Sequence, residues 1–108
     1  MGTTIDYRTL VGSNPDKMFK ATIFESPRLL LGLNCLEPGQ TDRIHTHEDQ
    51  DKFYYVIEGD GEFTVGDEIV TASAGETIPV PAGLTHGVRN YGVARLVVLM
   101  GLTPWPGP

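Results

Sequence analysis

Apolar and β-branched residues fall into short runs along almost the whole chain, and no apolar stripe of helical period is long enough to make a helix. The predicted strands are Met18–Phe24, Leu29–Leu36, Arg43–His47, Lys52–Glu58, Glu62–Val65, Ile69–Ala72, Glu76–Val80, His86–Asn90 and Arg95–Met100. Glycine and proline, 13 and 8 of the 108 residues, punctuate these runs at a spacing that points to an all-β sandwich or barrel. Gly59-Asp60-Gly61 separates two strands, and Gly66-Asp67 suits a tight hairpin that needs a positive φ. Pro79 and Pro81 cannot donate ladder hydrogen bonds, so the strand carrying them should end there or lie on an edge. Asn14-Pro15-Asp16 is expected to start one helical turn, and the tail from Thr103 to Pro108 reads as extended.

The length predicts one domain over residues 1–108, with N-terminal strands in 1–36, a central barrel in 39–90 and a final strand and tail in 95–108. A core of this size is modest, and a homodimer is expected. No apolar run approaches the roughly 18 residues that span a bilayer, so no membrane partner is expected. No basic region followed by an apolar stretch opens the chain, which makes the cytoplasm the expected location. A net charge of −6 argues against nucleic acid, whose phosphates need a basic footprint. The single cysteine, Cys35, reads as a small buried hydrophobe, since no second cysteine exists to form a disulfide or a CxxC pair. Neither a phosphate-cradling glycine loop nor a G-x-S-x-G elbow is present, so nucleophilic hydrolysis is not expected.

All three histidines lie in two glycine- and proline-bounded segments, His45 and His47 in one and His86 in the other. Side chains alternate along a strand, so His45 and His47 project to one side, and Arg43 is expected with them. His86, delivered after the Pro81-Ala82-Gly83 turn, supplies a third nitrogen if the sheets close on each other. Imidazole is a common transition-metal ligand, which makes this trio the leading candidate for chemistry. On the strand beginning at Lys52, Tyr54 and Val56 share one face and Phe53, Tyr55 and Ile57 the other. Both faces are apolar, as expected of a strand covered on both sides.

These segments resemble the two motifs of the cupins. The first, G-x5-H-x-H-x3or4-E-x6-G, is matched by Gly39, His45, His47 and Gly59; the second, G-x5-P-x-G-x2-H-x3-N, by Gly75, Pro81, Gly83, His86 and Asn90. The resemblance implies a double-stranded β-helix, or jelly-roll barrel, with a divalent transition metal (Fe, Mn, Ni, Zn or Cu) on His45, His47 and His86. It leaves activity open among dioxygenases, isomerases, decarboxylases and sugar- or ligand-binding modules. One position departs from the motif: Lys52 stands where the family has its glutamate. Asp51 reached through a bulge, or Glu48, Asp49 or Gln50, are the alternatives for that ligand.

An ammonium about 4 Å from a divalent ion is repelled by roughly 8 kcal/mol at an effective dielectric near 20. Lys52 must therefore lose its proton, turn to the acidic run Glu48–Asp51, face an anion lying between it and the ion, or displace the metal altogether. Three neutral imidazoles leave an ion with open positions for a small anionic ligand, and Arg43 or Lys52 would orient that anion. Tyr54 is a candidate proton or hydrogen-bond donor. Against these readings stand plain alternatives: Arg43 and Lys52 paired with nearby carboxylates on a solvated rim, Tyr54 packed in the core, and Asn90 fixing a turn. The favoured function is an oxygenase-like metal enzyme acting on a small oxygen-rich or carboxylate molecule; the rivals are a non-catalytic ligand-binding cupin and a metal-free barrel that holds an organic anion.

Overall fold

A computed structural model describes residues 2–108. Nine strands follow in order: β1 (Phe19–Ser26), β2 (Leu29–Leu36), β3 (Thr41–Thr46), β4 (Asp51–Glu58), β5 (Asp60–Val65), β6 (Glu68–Ser73), β7 (Thr77–Val80), β8 (Thr85–Arg89) and β9 (Leu96–Thr103). Each lies within a few residues of its prediction. They form two antiparallel sheets, β1-β2-β9-β4-β7 and β3-β8-β5-β6. Consecutive strands β3 and β4 belong to different sheets, so the chain winds between layers in the manner of a jelly roll. The proline-bearing β7 is an edge strand, as its missing donors require. Gly66, at φ 60°, makes the β5–β6 turn.

The core lies between the sheets. Leu36, Tyr54, Val56, Phe63, Leu96 and Val98 are fully enclosed there. A second cluster covers the outer face of the five-stranded sheet, where Leu33, Cys35 and Val97 are overlaid by Tyr7, Leu10 and Val11 from the N-terminal segment. Tyr7 anchors that segment by donating its hydroxyl to Glu58 Oε2 at 2.9 Å. Cys35 is thus a buried apolar residue, and burial pushes its thiol pKa up.

One local expectation needs correction. The only helical turn among the described residues is a 3-10 turn at Tyr7–Thr9, capped by Asp6, which accepts from the Arg8 amide. Asn14-Pro15-Asp16 instead makes an Asx turn, with the Asp16 amide donating to Asn14 Oδ1 at 2.9 Å; the asparagine side chain satisfies the backbone that a helix would otherwise have used.

Candidate metal centre

β3 and β8 run side by side, and His45 pairs directly with His86. Between Asp42 and His45 the register slips by one residue, a bulge. Gly87 faces the bulge: a Cβ there would stand 3.1 Å from both the Asp42 carbonyl oxygen and Ile44 Cγ1, so a side chain would press on the extra residue. The bulge reverses the expected alternation. Asp42 and His45, three residues apart, both turn inward and line the same cavity, while Arg43 and Ile44 between them are exposed. Arg43 is therefore not on the histidine face. It borders an outer depression of about 610 Å³ beside Asn14, Lys17 and Lys20, which contains none of the three histidines.

His47 follows β3 directly and is held by the turn before β8, where the Gly83 amide donates to the His47 carbonyl at 3.0 Å. Gly83 sits at φ 87°, a conformation that side-chain-bearing residues rarely adopt. The ring centroids of His45 and His86 are 4.4 Å apart, and those of His47 and His86 5.2 Å. One nitrogen from each ring lies within 4.8 Å of the others.

Two rings have their tautomer fixed by the backbone. His45 Nδ1 is 2.8 Å from the Arg43 carbonyl and His86 Nδ1 3.2 Å from the Leu84 carbonyl. A carbonyl can only accept, so the proton sits on Nδ1 and the Nε2 lone pair is free. His86 Nε2 is buried with no hydrogen-bond partner among the described residues. An unpaired buried acceptor is costly, and a cation placed among the three rings would satisfy it. Burial, outweighing the Leu84 carbonyl, pushes the His86 pKa down to about 4, so the ring is neutral at physiological pH. His47 is also held below the usual histidine value, by burial first and then by His45 and Lys52. The donor set thus fits a divalent transition metal.

Lys52 is the discordant member. It projects from β4 into the barrel between Val80 and Leu102, themselves buried, and is only 7% exposed. Its Nζ lies 4.9 Å from the centroid of the Tyr54 ring and has no ion-pair partner among the described residues. Burial lowers its pKa to about 8, with Asp42 opposing the shift and the Lys20 ammonium adding to it. It does not reach the acidic run. Asp51 is exposed and accepts from the Ala82 amide at 2.9 Å, Gln50 donates to the Pro104 carbonyl at 2.8 Å, and Glu48 and Asp49 are exposed.

His45, His47 and Lys52 line a cavity of about 240 Å³. Its walls include Leu30, Met100 and Leu102, with Asp42 the carboxylate on its lining. Trp105, from the tail, also borders it; the indole nitrogen donates to Glu25 Oε2 at 2.6 Å and the Trp105 amide to the Pro27 carbonyl at 3.0 Å. Tyr54 lies beneath, fully enclosed, its ring 5.1 Å from Phe63 and 6.3 Å from His86; its hydroxyl has no partner among the described residues, and burial raises its pKa. Asn90 holds the chain around the site: Nδ2 donates to the Leu36 and Ala94 carbonyls, both at 2.9 Å, and Oδ1 accepts from Gly92 at 3.0 Å. Asp42 and Trp105 were not singled out by sequence. The glycine beside His86 was the available sign of the first; nothing local marks the second.

Two sheets wound as a double-stranded β-helix, with three histidines converging between them, define a class of small barrel. The family model described as cupin domain matches residues 32–101, and the chain belongs to that family. Among solved structures, the TT1209 protein of Thermus thermophilus is 39% identical, with a TM-score of 0.91 over 94% of this chain and 96% of that one. A protein with a double-stranded beta-helix domain from Klebsiella pneumoniae superposes with a TM-score of 0.90 over 96% and 91% of the two chains, at 19% identity, a likeness of fold. An oxalate-binding protein of Thermotoga maritima is 32% identical over 64 residues, 59% of this chain and 53% of its own length; the match spans about half of that relative.

Proposed function

We propose that this cupin is a metal-dependent enzyme, oxygenase-like in chemistry, acting on a small carboxylate or other oxygen-rich anion. The observation that carries this is the buried, unpartnered Nε2 of His86, aimed at the place where His45 and His47 converge. His45, His47 and His86 would hold the ion, which when bound supplies Lewis acidity or one-electron chemistry. The protein's own groups then select the ligand. A cavity of about 240 Å³ is smaller than the usual range for drug-sized molecules, which favours a compact ligand. Lys52, charged, offers its ammonium to an anion in the low-dielectric space, and Tyr54, whose hydroxyl lacks an acceptor, donates a second hydrogen bond. The apolar wall of Leu30, Met100 and Leu102 limits water, strengthening both contacts. The exposed Arg43 has no part in this. Oxalate, named for the Thermotoga relative, is the first ligand to try.

A non-catalytic binding role is the second reading, favoured by that relative's description as a binding protein and by the cation facing the triad. Elemental analysis of wild type, His45→Ala and His86→Ala tests the shared premise: about one metal per chain is expected in wild type and none in the variants, whereas equal content in all three overturns the site. Oxygen uptake by the iron-loaded protein with small carboxylates, diketones and diols separates the readings, since ligand binding without uptake selects the binding role.

A homodimer belongs to the same proposal. Phe24, Leu31, Gly101, Phe53 and Pro79 form one cross-strand row on the outer face of the five-stranded sheet, without a charge and beyond the cover of the N-terminal segment. Sedimentation equilibrium with Phe53→Lys tests it, a monomeric wild type being the adverse result.

A further inference from the structure

We propose that Lys52 is a carbamylation site: its amine takes up carbon dioxide, and the carbamate so formed carries the anionic oxygen that the three histidines lack. The inference rests on the metal reading above.

Geometry is the first support. Lys52 points into the histidine cavity from a strand flanked on both sides, and its side chain is almost wholly buried. Its amine is held by nothing stronger than the Tyr54 face. A lysine buried for structural reasons would be expected to have a carboxylate partner, because an unpaired buried cation is destabilising. Asp42 lines the same cavity, yet it forms no ion pair with Lys52 and is not among the atoms that converge with the histidine nitrogens. Among the described residues the site therefore combines three imidazoles, no carboxylate converging on their nitrogens and one buried, unpartnered amine, the other lysine on the lining, Lys20, being exposed.

The chemistry balances without a further reactant. The Nζ lone pair forms a bond to the carbon of carbon dioxide, one carbon–oxygen π pair moves onto oxygen, and the nitrogen gives a proton to water. The product is a carbamate anion and a released proton; nothing is oxidised or reduced. With C–N and C–O bonds of about 1.33 and 1.23 Å, the new oxygens reach roughly 2.3 Å beyond Nζ. The cavity has room for three added atoms. Position 52 changes from a cation that opposes a divalent ion to an anion that attracts it, in the place where the motif has glutamate. The depressed pKa is consistent with this, since an amine near 8 has an appreciable neutral fraction at physiological pH.

The test uses the full chain with Lys17→Arg and Lys20→Arg, which leaves Lys52 as the only lysine. Protein labelled with ¹⁵N at the lysine side chain is equilibrated with ¹³C-bicarbonate near the amine's own pKa, with and without zinc. A carbon resonance split by one-bond coupling to ¹⁵N is the expected result, together with at least tenfold tighter zinc binding when bicarbonate is present. Lys52→Arg should lose the bicarbonate dependence. Zinc binding with no coupled resonance overturns the carbamate and leaves the metal reading standing. If zinc does not bind the histidines at all, the metal reading fails, and the zinc-free spectrum then decides: a coupled resonance supports the carbamate, and its absence overturns it.

Discussion

Replacing Lys52 by methionine in metal-free, carbon dioxide-free protein removes a buried charge while keeping an unbranched chain of similar length. The lysine pKa falls from 10.5 to about 8 on folding. At about 1.4 kcal/mol per unit, that drop is a penalty on the order of 3 kcal/mol against the folded state whenever the amine is charged. Below pH 8 the group is protonated in both states, and the penalty is fully present. Between about 8 and 10.5 the folded chain releases a proton that the unfolded chain keeps, so wild-type stability rises with pH; above that range both states are neutral and the penalty is gone. Lys52→Met should therefore be the more stable protein at neutral pH, melting on the order of 10 °C higher for a domain of this size, with the gap closing in alkaline buffer. Thermal unfolding by circular dichroism, in chelator and across that pH range, reads both effects. A variant no more stable than wild type at neutral pH, or a gap that does not change with pH, would mean that water reaches the amine and would refute the burial reasoning.

Three further outcomes follow from the same geometry. Lys52→Glu should tighten zinc binding at least 100-fold in carbon dioxide-free buffer, because a divalent ion about 4 Å from an ammonium is repelled by roughly 8 kcal/mol at an effective dielectric near 20; isothermal titration reads the change, and unaltered affinity would place Lys52 away from the ion. Asn90→Ala should lower unfolding free energy by about 2–3 kcal/mol, since it abandons the buried Leu36 carbonyl and the half-buried bond to the Ala94 carbonyl, and should leave the metal content of the folded fraction unchanged. Trp105 is the chain's one tryptophan and borders the histidine cavity, so oxalate binding to metal-loaded protein should change its emission; calorimetric binding with constant fluorescence would put the ligand elsewhere.

The strands were legible because glycine and proline mark their ends and apolar residues alternate within them, and both signals are local. The histidine trio was legible for a different reason: the motif spacings already contain the turns that bring β3 and β8 together, with Gly83 in the left-handed region and its amide on the His47 carbonyl. What failed was the alternation rule at Arg43. Period two holds only while both partners of a ladder advance together, and at the bulge β3 advances one residue more than β8. The identity of the inward-facing neighbour of His45, a carboxylate at Asp42 rather than a guanidinium at Arg43, is thus set partly by Gly87, a residue far along the chain that leaves the extra residue its space. The same non-locality hides Trp105, whose place beside the cavity depends on Glu25 and on the carbonyl of Pro27. A sequence motif therefore identifies the donors of this site more readily than its lining. With Arg43 outside, the only cationic side chain buried beside the triad among the described residues is Lys52, so under the proposed function the charge state of that amine decides whether the site favours a metal, an anion or both.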